Sequence, residues 1–164
     1  MVQMSVIVPF QNAEKYIESC INSLLCQDYS NKDYEIIFID NNSTDRSAMI
    51  VGQYDMIKLL NESSPGSYAA RNLGIKSARG NIIAFTDADC LPCEGWLSGL
   101  EQVLSTSPVL LVQGGQRFSK KQRDYIFWIT MKQRRISLPF PVRKRKFTTA
   151  ELTIWPFGKL CLMK

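Results

Sequence analysis

The sequence predicts an α/β fold with a mostly parallel sheet and helices on both of its faces. Short apolar runs alternate with segments whose apolar residues recur at helical spacing. This alternation is typical of parallel strands connected by helices. Polar and acidic residues follow several of the apolar runs, and ligands of such sheets bind beyond the carboxyl ends of the strands.

The elements are predicted in order from their apolar patterns and their boundary residues. Strands are expected over residues 5–8, 34–39, 56–60, 81–86 and 109–112. Helices are expected over 16–25, from the polar run 41–45 to near Gly52, from Pro65-Gly66 to Ala78, and over 95–104. Asn12 is a candidate cap for the first helix, and Gly80 is placed to end the third. No internal repeat interrupts the pattern, so 1–164 is predicted to be one domain.

Composition limits the classes of function. The 164 residues suffice for one core without a disulfide or metal staple. The absence of histidine excludes His-dependent triads and His-ligated zinc. Five cysteines, an odd number, and no signal peptide favour a reducing cytoplasm. No apolar stretch approaches the roughly 20 residues that span a bilayer.

The net charge of +5 comes from one segment. Residues 120–147 hold ten basic side chains and one acidic, a net charge of +9, so the rest of the chain carries −4. Interleaved aromatic residues suit a peripheral contact with an anionic inner membrane face, where each basic residue contributes about 1 kcal/mol. Nucleic-acid binding fits the same composition, although no recognised module accompanies it, and we predict no nucleic-acid partner. The third interpretation is that residues 120–147 form a solvated surface, or a surface that further sequence would cover.

A pair of carboxylates follows the apolar run 81–86. In an extended chain Asp87 and Asp89 point to the same side, where a hard cation such as Mg²⁺ or Mn²⁺ would relieve their repulsion. The alternative is a polar turn after a strand. Pro9 and Asp40 end two other predicted strands, so all four residues are expected to converge. No glycine-rich dinucleotide or P-loop motif is present.

Four segments in this order resemble family 2 glycosyltransferases of GT-A fold: residues 6–12, 39–45, 70–74 and 85–89. The resemblance implies a Rossmann-like sheet and transfer of a sugar from a nucleotide-diphosphate sugar, commonly UDP-linked, to an acceptor hydroxyl. It implies Mn²⁺ or Mg²⁺ as cofactor and a glycan or lipid-linked acceptor. The resemblance is good over residues 3–115, which it implies are the nucleotide-sugar-binding part. It is loose over 116–164, which it implies are a basic, partial acceptor-side segment.

The resemblance also implies roles for residues that would bind the nucleotide. Asp40 would accept a hydrogen bond from the uracil ring N–H, unless it only caps the next helix. Pro9 and Phe10 would form the wall beside the base. Arg71 would lie near the base or diphosphate, where its planar guanidinium offers several donors, or else be a solvated helix residue. Glu14 would lie near the nucleotide, or act only as an acid in a first helical turn.

On the metal side, the resemblance implies that Asp87 lies near the ribose and the metal, and that Asp89 bridges the metal to the diphosphate. Residues 147–153 look like the segment just before the family's Gly-Gly-Phe-like loop and acidic general base. Neither follows before Lys164, and Glu151 does not match the position of the base. The sequence is therefore expected to be truncated, with no catalytic base assigned. The alternative function is a catalytically incomplete nucleotide-sugar-binding remnant, which would bind UDP without turnover.

Cys90 and Cys93 form a Cys-X-X-Cys pattern that could indicate a redox pair or half of a zinc site. Zinc would need two further ligands, and a redox pair would normally open the helix directly after a strand. Free, partly buried thiols are the prediction here.

Overall fold

The computed structural model describes residues 2–106, 111–113 and 129–132, all within the unit formed by residues 1–133. Its strands are β1 (Met4–Phe10), β2 (Tyr34–Asp40), β3 (Ile57–Asn61), β4 (Ile82–Phe85), β5 (Leu111–Gln113) and β6 (Ile129–Lys132). Its helices are α1 (Ile17–Leu25), α2 (Ser47–Val51), α3 (Ser67–Ser77) and α4 (Trp96–Thr106). None of the described helices is long and apolar enough to cross a bilayer. Apart from β6, the basic segment 120–147 lies outside the described residues, as does Glu151.

The six strands form one sheet in the order β3-β2-β1-β4-β6-β5. The first four are parallel, with Ile7 of β1 opposite both Ile37 of β2 and Phe85 of β4. β6 runs antiparallel to β4, and β5 runs antiparallel to β6. The mostly parallel sheet is thus confirmed. β6 is not among the predicted strands, because basic residues rather than turn-forming ones flank its short apolar run.

All seven residues of β1 are buried, because β1 has strand neighbours on both edges and helices over both faces. The strand continues through Pro9 to Phe10, so the prediction that Pro9 ends it is wrong by one residue. The ladder with β4 stops at Ile7. Pro9 therefore lies where β1 pairs only with β2, an edge-like position that tolerates the missing N–H.

The two faces of the sheet are covered by different helices, as predicted. On one face, α1, α2 and α4 pack against a cluster that includes Val6 and Phe38. On the other face, α3 packs its Ala70 against the isoleucines and phenylalanine of three strands: Ile7, Ile37, Ile39, Ile83 and Phe85. A Cβ at Gly74 of α3 would lie 2.5 Å from the Ile7 side chain. This glycine lets α3 lie directly on the sheet.

The prediction that Asn12 caps α1 is wrong. The cap position is Tyr16, with no side-chain cap hydrogen bond, and Asn12 has a positive φ of 51°. The Asn12 carboxamide instead accepts a hydrogen bond from the Thr44 backbone N–H at 2.8 Å. Asn12 therefore connects two loops and does not cap the helix. A local capping rule does not predict this contact, because Thr44 lies far from Asn12 in sequence.

Gly80 does not end α3, which stops at Ser77 with Ala78 in an extended conformation. Its role is a close approach to β1. A Cβ at Gly80 would lie 2.6 Å from the Met4 carbonyl carbon, and its N–H donates to the buried Ser5 hydroxyl at 2.9 Å. The glycine thus allows the connection into β4 to pass directly over the start of β1.

We expect Gly80→Ala to lower the free energy of unfolding by about 1–3 kcal/mol or more, because the added methyl group meets backbone atoms that cannot rotate away. The matched control is Gly99→Ala in α4, where the added Cβ meets no atom of the described residues within 4 Å beyond the nearby backbone of its own helix. There alanine should raise the free energy by roughly 0.5–1 kcal/mol. Urea unfolding of both variants measures the difference, and equal effects would contradict the close approach.

Candidate functional site

A cleft of about 260 Å³ lies at the carboxyl ends of β1 and β4. Its lining residues come from the end of β1, the loop after it and the loop after β4: Pro9, Phe10, Gln11, Asn12, Ala13, Tyr16, Asp87, Ala88 and Asp89. A pocket of about 400 Å³ around Asp28, Asp33 and Glu101 contains none of the predicted site residues. We take the smaller cleft as the candidate site, because it lies where parallel α/β sheets bind ligands.

Asp87 and Asp89 both line this cleft, but not for the predicted reason. β4 ends at Phe85, and the Cys90 N–H donates to the Asp87 carbonyl oxygen at 3.1 Å, which closes a turn. The assumption of an extended chain at these residues is therefore wrong. A turn, rather than strand alternation, therefore places both residues at the cleft.

Arg71 and Asp87 form an ion pair at the edge of the cleft. The Arg71 Nη2 lies 2.7 Å from the Asp87 Oδ1, and the two side chains are 27% and 36% exposed. Burial raises the pKa of the Asp87 carboxyl, the Arg71 guanidinium opposes that shift, and the Asp89 carboxylate adds to it. Arg71 is therefore held by a specific partner and is not simply a solvated helix residue.

Asp40 is buried at the end of β2, opposite Phe10 in the register with β1. Its Oδ1 accepts a hydrogen bond from the Ser43 N–H at 2.9 Å. That bond closes the turn after β2, whereas α2 begins only at Ser47, so Asp40 does not cap the helix. Asp40 neighbours the cleft through Phe10 but is not one of its lining residues.

Glu14 is not one of the cleft-lining residues either, and its carboxylate is paired with Arg46. Both the backbone N–H and the guanidinium of Arg46 donate to its carboxylate. These hydrogen bonds, the side-chain one first, hold the pKa of Glu14 below its ordinary value. Glu14 precedes α1, so it is not in a first helical turn either.

The Glu14–Arg46 pair is one part of a clasp between the loop after β1 and the loop after β2, residues 11–16 and 41–47. The Ala13 N–H donates to the Ser47 hydroxyl at 2.8 Å, and the Glu14 N–H donates to Asp45 Oδ2 at 3.0 Å. Asp45 Oδ1 in turn accepts from the Ser47 N–H and hydroxyl. The clasp fixes the wall of the cleft that Asn12, Ala13 and Tyr16 form.

The four cysteines of the described residues, Cys20, Cys26, Cys90 and Cys93, form no disulfide with one another. Cys90 is buried and Cys93 exposed, and the Cys90 thiol donates to Asp89 Oδ1 at 3.7 Å. Cys20 is buried beneath the Asp87 loop, and burial, together with the nearby Cys90 thiol and Asp89 and Asp87 carboxylates, raises the pKa of its thiol. A raised pKa disfavours the nucleophilic thiolate.

Several cleft residues are absent from the predicted site. Tyr16 falls within the helix predicted over 16–25, where an aromatic residue indicates a core position. In the structure the Lys15 ammonium lies over its ring, 5.2 Å from the centroid. Gln11 and Asn12 carry a usable signal, since they are polar residues directly after a buried strand. Ala13 and Ala88 carry none, because small apolar residues are equally common in cores.

The fold is that of the GT-A class of glycosyltransferases. The sequence profile of glycosyl transferase family 2 matches residues 5–164. Glycosyltransferase AglE from Haloferax volcanii is 39% identical over 121 residues, which is 71% of this chain but 40% of that protein. This chain belongs to glycosyl transferase family 2, and it spans less than half the length of the curated relatives it matches.

Solved structures agree with this assignment. Poly(ribitol-phosphate) β-N-acetylglucosaminyltransferase TarS from Staphylococcus aureus, in complex with UDP, is 31% identical with a TM-score of 0.61, over 64% of this chain and 32% of that one. Glucosyl-3-phosphoglycerate synthase from Mycobacterium tuberculosis, solved with Mn²⁺, UDP and glucosyl-3-phosphoglycerate, is 25% identical. Its TM-score is 0.58, over 68% of this chain and 43% of that one.

We expect the clasp to make stability depend on acid through Asp45. Hydrogen bonds, first of all from the Ser47 hydroxyl, hold the pKa of Asp45 below its ordinary value. A carboxyl group whose pKa is lower in the folded than in the unfolded state stabilises the fold at pH values above its unfolded-state pKa, which is near 4. That stabilisation is lost as the pH falls through the folded-state pKa. Asp45→Asn should therefore flatten the fall of the unfolding free energy between pH 7 and pH 3.

Urea unfolding at a series of pH values measures this dependence. The matched control is Asp55→Asn, which changes an exposed aspartate in the turn before β3. It should leave the acid dependence close to that of the unmodified chain. Parallel curves for the unmodified chain and Asp45→Asn would show that the clasp does not depend on this carboxylate.

Proposed function

We propose that the cleft binds the nucleotide diphosphate of a sugar donor, most simply a UDP-sugar, for transfer to an acceptor hydroxyl. The observation that carries the proposal is the cleft where β1 and β4 end, which Asp87 and Asp89 line. Arg71 of α3 pairs with Asp87 at the edge of this cleft, and Asp40 lies opposite Phe10 at the end of the neighbouring strand β2. The UDP complexes of the similar structures support the choice of nucleotide.

Each predicted residue has a chemically suitable role in this proposal. Pro9 and Phe10 line the cleft and supply an apolar wall for the base, with Phe10 supported by the Phe38 ring at 6.0 Å between centroids. Asp40 accepts from the uracil N–H through Oδ2, since the hydrogen bond that its carboxylate accepts among the described residues, from the Ser43 N–H, goes to Oδ1. Arg71 faces the diphosphate side through its pair with Asp87.

Glu14 has the weakest claim to a role at the nucleotide. Its carboxylate is occupied by Arg46, so we propose that it acts on the nucleotide only by fixing the clasp behind the cleft. The residue keeps the loop after β1 in place, and with it the wall that the base would contact.

The residues present fit a divalent cation. Asp87 and Asp89 offer oxygen ligands, which suit Mg²⁺ and Mn²⁺, and their mutual repulsion contributes to the raised pKa of Asp87. Among the described residues, no group of three or more side chains could hold a metal alone. Donor phosphate oxygens would complete the ligand set, as is usual for Mg²⁺. When bound, such a cation supplies Lewis-acid stabilisation of a leaving diphosphate.

The acceptor side of the proposal rests on the resemblance alone. We propose a glycan or lipid-linked acceptor, met in the cytoplasm, with the basic segment 120–147 as a contact at the inner membrane face. No catalytic base is assigned to the chain. The described residues hold and orient the donor, and a base would take the acceptor proton during attack at the anomeric carbon.

The first test is isothermal titration of the full chain with UDP in Mn²⁺ and then in EDTA. We expect binding that depends on the metal. Asp89→Asn should weaken Mn²⁺-dependent UDP binding by roughly 10-fold or more. Loss of even a residue that only supports a metal ligand typically costs that much affinity. The matched control is Glu94→Gln, an exposed acid in the same loop. Unchanged affinity in Asp89→Asn would contradict the metal site.

A second test addresses the base. Uracil carries a ring N–H that cytosine lacks, so the unmodified chain should prefer UDP to CDP. Asp40→Asn keeps an oxygen for the Ser43 N–H but removes the charged acceptor. A hydrogen bond to a charged group contributes about 1.5–3 kcal/mol, so the preference should fall by about 10-fold or more. A preference that survives this substitution would remove Asp40 from the base site.

A further inference from the structure

The Asn41 side chain, directly after β2, is 4% exposed and makes three hydrogen bonds. Its Nδ2 donates to the carbonyl oxygens of Glu62 at 2.9 Å and Ser64 at 2.7 Å. Its Oδ1 accepts from the Gly66 N–H at 2.8 Å. A primary amide has two N–H donors, and both are used. Because the side chain is buried, water does not readily replace these partners.

All three bonds hold the same segment, residues 62–66, which connects β3 to α3. Gly66 has a φ of 110°, which favours glycine, and its carbonyl oxygen accepts from the Ala69 and Ala70 N–H groups in the first turn of α3. Asn41 is therefore the buried side chain that holds this segment, and with it the start of α3, to the end of β2.

Asn41 also lies between the two halves of the donor site. On the sheet side it follows Asp40, and its own N–H donates to the Phe10 carbonyl oxygen at 2.9 Å. On the helix side, the segment that it holds leads into α3, whose fifth residue is Arg71, and the Arg71 guanidinium contacts Asp87. Asn41 thus fastens the segment that precedes the helix whose Arg71 contacts Asp87.

We propose that Asn41 is a positioning residue of the donor site, which sets Arg71 against Asp87 by holding the start of α3 to the end of β2. The proposal rests on the proposed function. It assigns Asn41 no contact with the donor. Its effect on the donor is exerted through Arg71, and that dependence distinguishes it from a residue that only stabilises the fold.

The test is a double-mutant cycle on UDP affinity in Mn²⁺, with the unmodified chain, Asn41→Ala, Arg71→Ala and the double variant. Asn41→Ala should weaken binding by on the order of 10-fold. It should add little once Arg71 is absent. The matched control is Asn42→Gly: Asn42 donates to the Glu62 and Ser63 carbonyl oxygens of the same segment at 3.4 and 3.1 Å, but these bonds are exposed, so water can replace them, and its φ of 65° is one that glycine tolerates. Its affinity should stay close to that of the unmodified chain.

Equal losses from Asn41→Ala in the presence and absence of Arg71, or no loss at all, would overturn the proposal. If Asn41→Ala does not fold, Asn41→Asp enters the same cycle, because it keeps the acceptor for Gly66 and removes the two donors. Amide exchange at Gly66 should accelerate in either variant, and unchanged exchange would also count against the proposal. An unmodified chain that fails to bind UDP would overturn the proposed function first, and the role of Asn41 with it.

Discussion

The parallel register of β1 with β2 and β4 is the constraint on which the rest of the structure depends. Because β1 is buried along its whole length, its neighbours cannot slip without moving apolar side chains to the wrong face. The register places Phe10 beside Asp40, and the end of β4 brings Asp87 to the same edge. Glycines at two close approaches, Gly74 and Gly80, let α3 and the connection into β4 lie against this strand. The chemistry of the cleft is thus a consequence of backbone pairing in the core.

Around that rigid edge, the candidate site is built from loops that hold one another by polar side chains. The clasp between the loops after β1 and β2 fixes one wall, and Asn41 fastens the segment before α3. Few of these partners are close in sequence, and each bond joins segments that the sheet has already brought together. A loop fixed in this way can present polar groups to a ligand without a helix or strand of its own, as functional loops on rigid scaffolds commonly do.

The sequence predicted the four parallel strands and the two helical layers, because short apolar runs and helical periodicity are local signals. The carboxylates after a strand indicated Asp87 and Asp89, which line one cleft, and the family resemblance indicated Arg71, which pairs with Asp87. The sequence did not predict β6, whose pairing with β4 depends on a partner far along the chain. The mistaken roles of Asn12 and Gly80 have the same physical origin. Local rules assign an asparagine to a cap and a glycine to a helix end, whereas distant backbone groups determine both residues here. The importance of Asn41 is likewise visible only once its three partners are in place.

The strand order has a consequence for synthesis of the chain. The outer edge of β4 pairs with β6 and not with β5, although β5 is synthesised first. The edge that includes Ile82 therefore stays unpaired until Lys132 has been synthesised. At the usual pace of translation this interval is on the order of seconds. During that time the nascent chain carries an apolar strand with unpaired backbone groups along one side, which is the kind of edge that recruits other strands. The same strand leads into the Asp87 loop, so nascent chains that pair at this edge would associate next to the cleft.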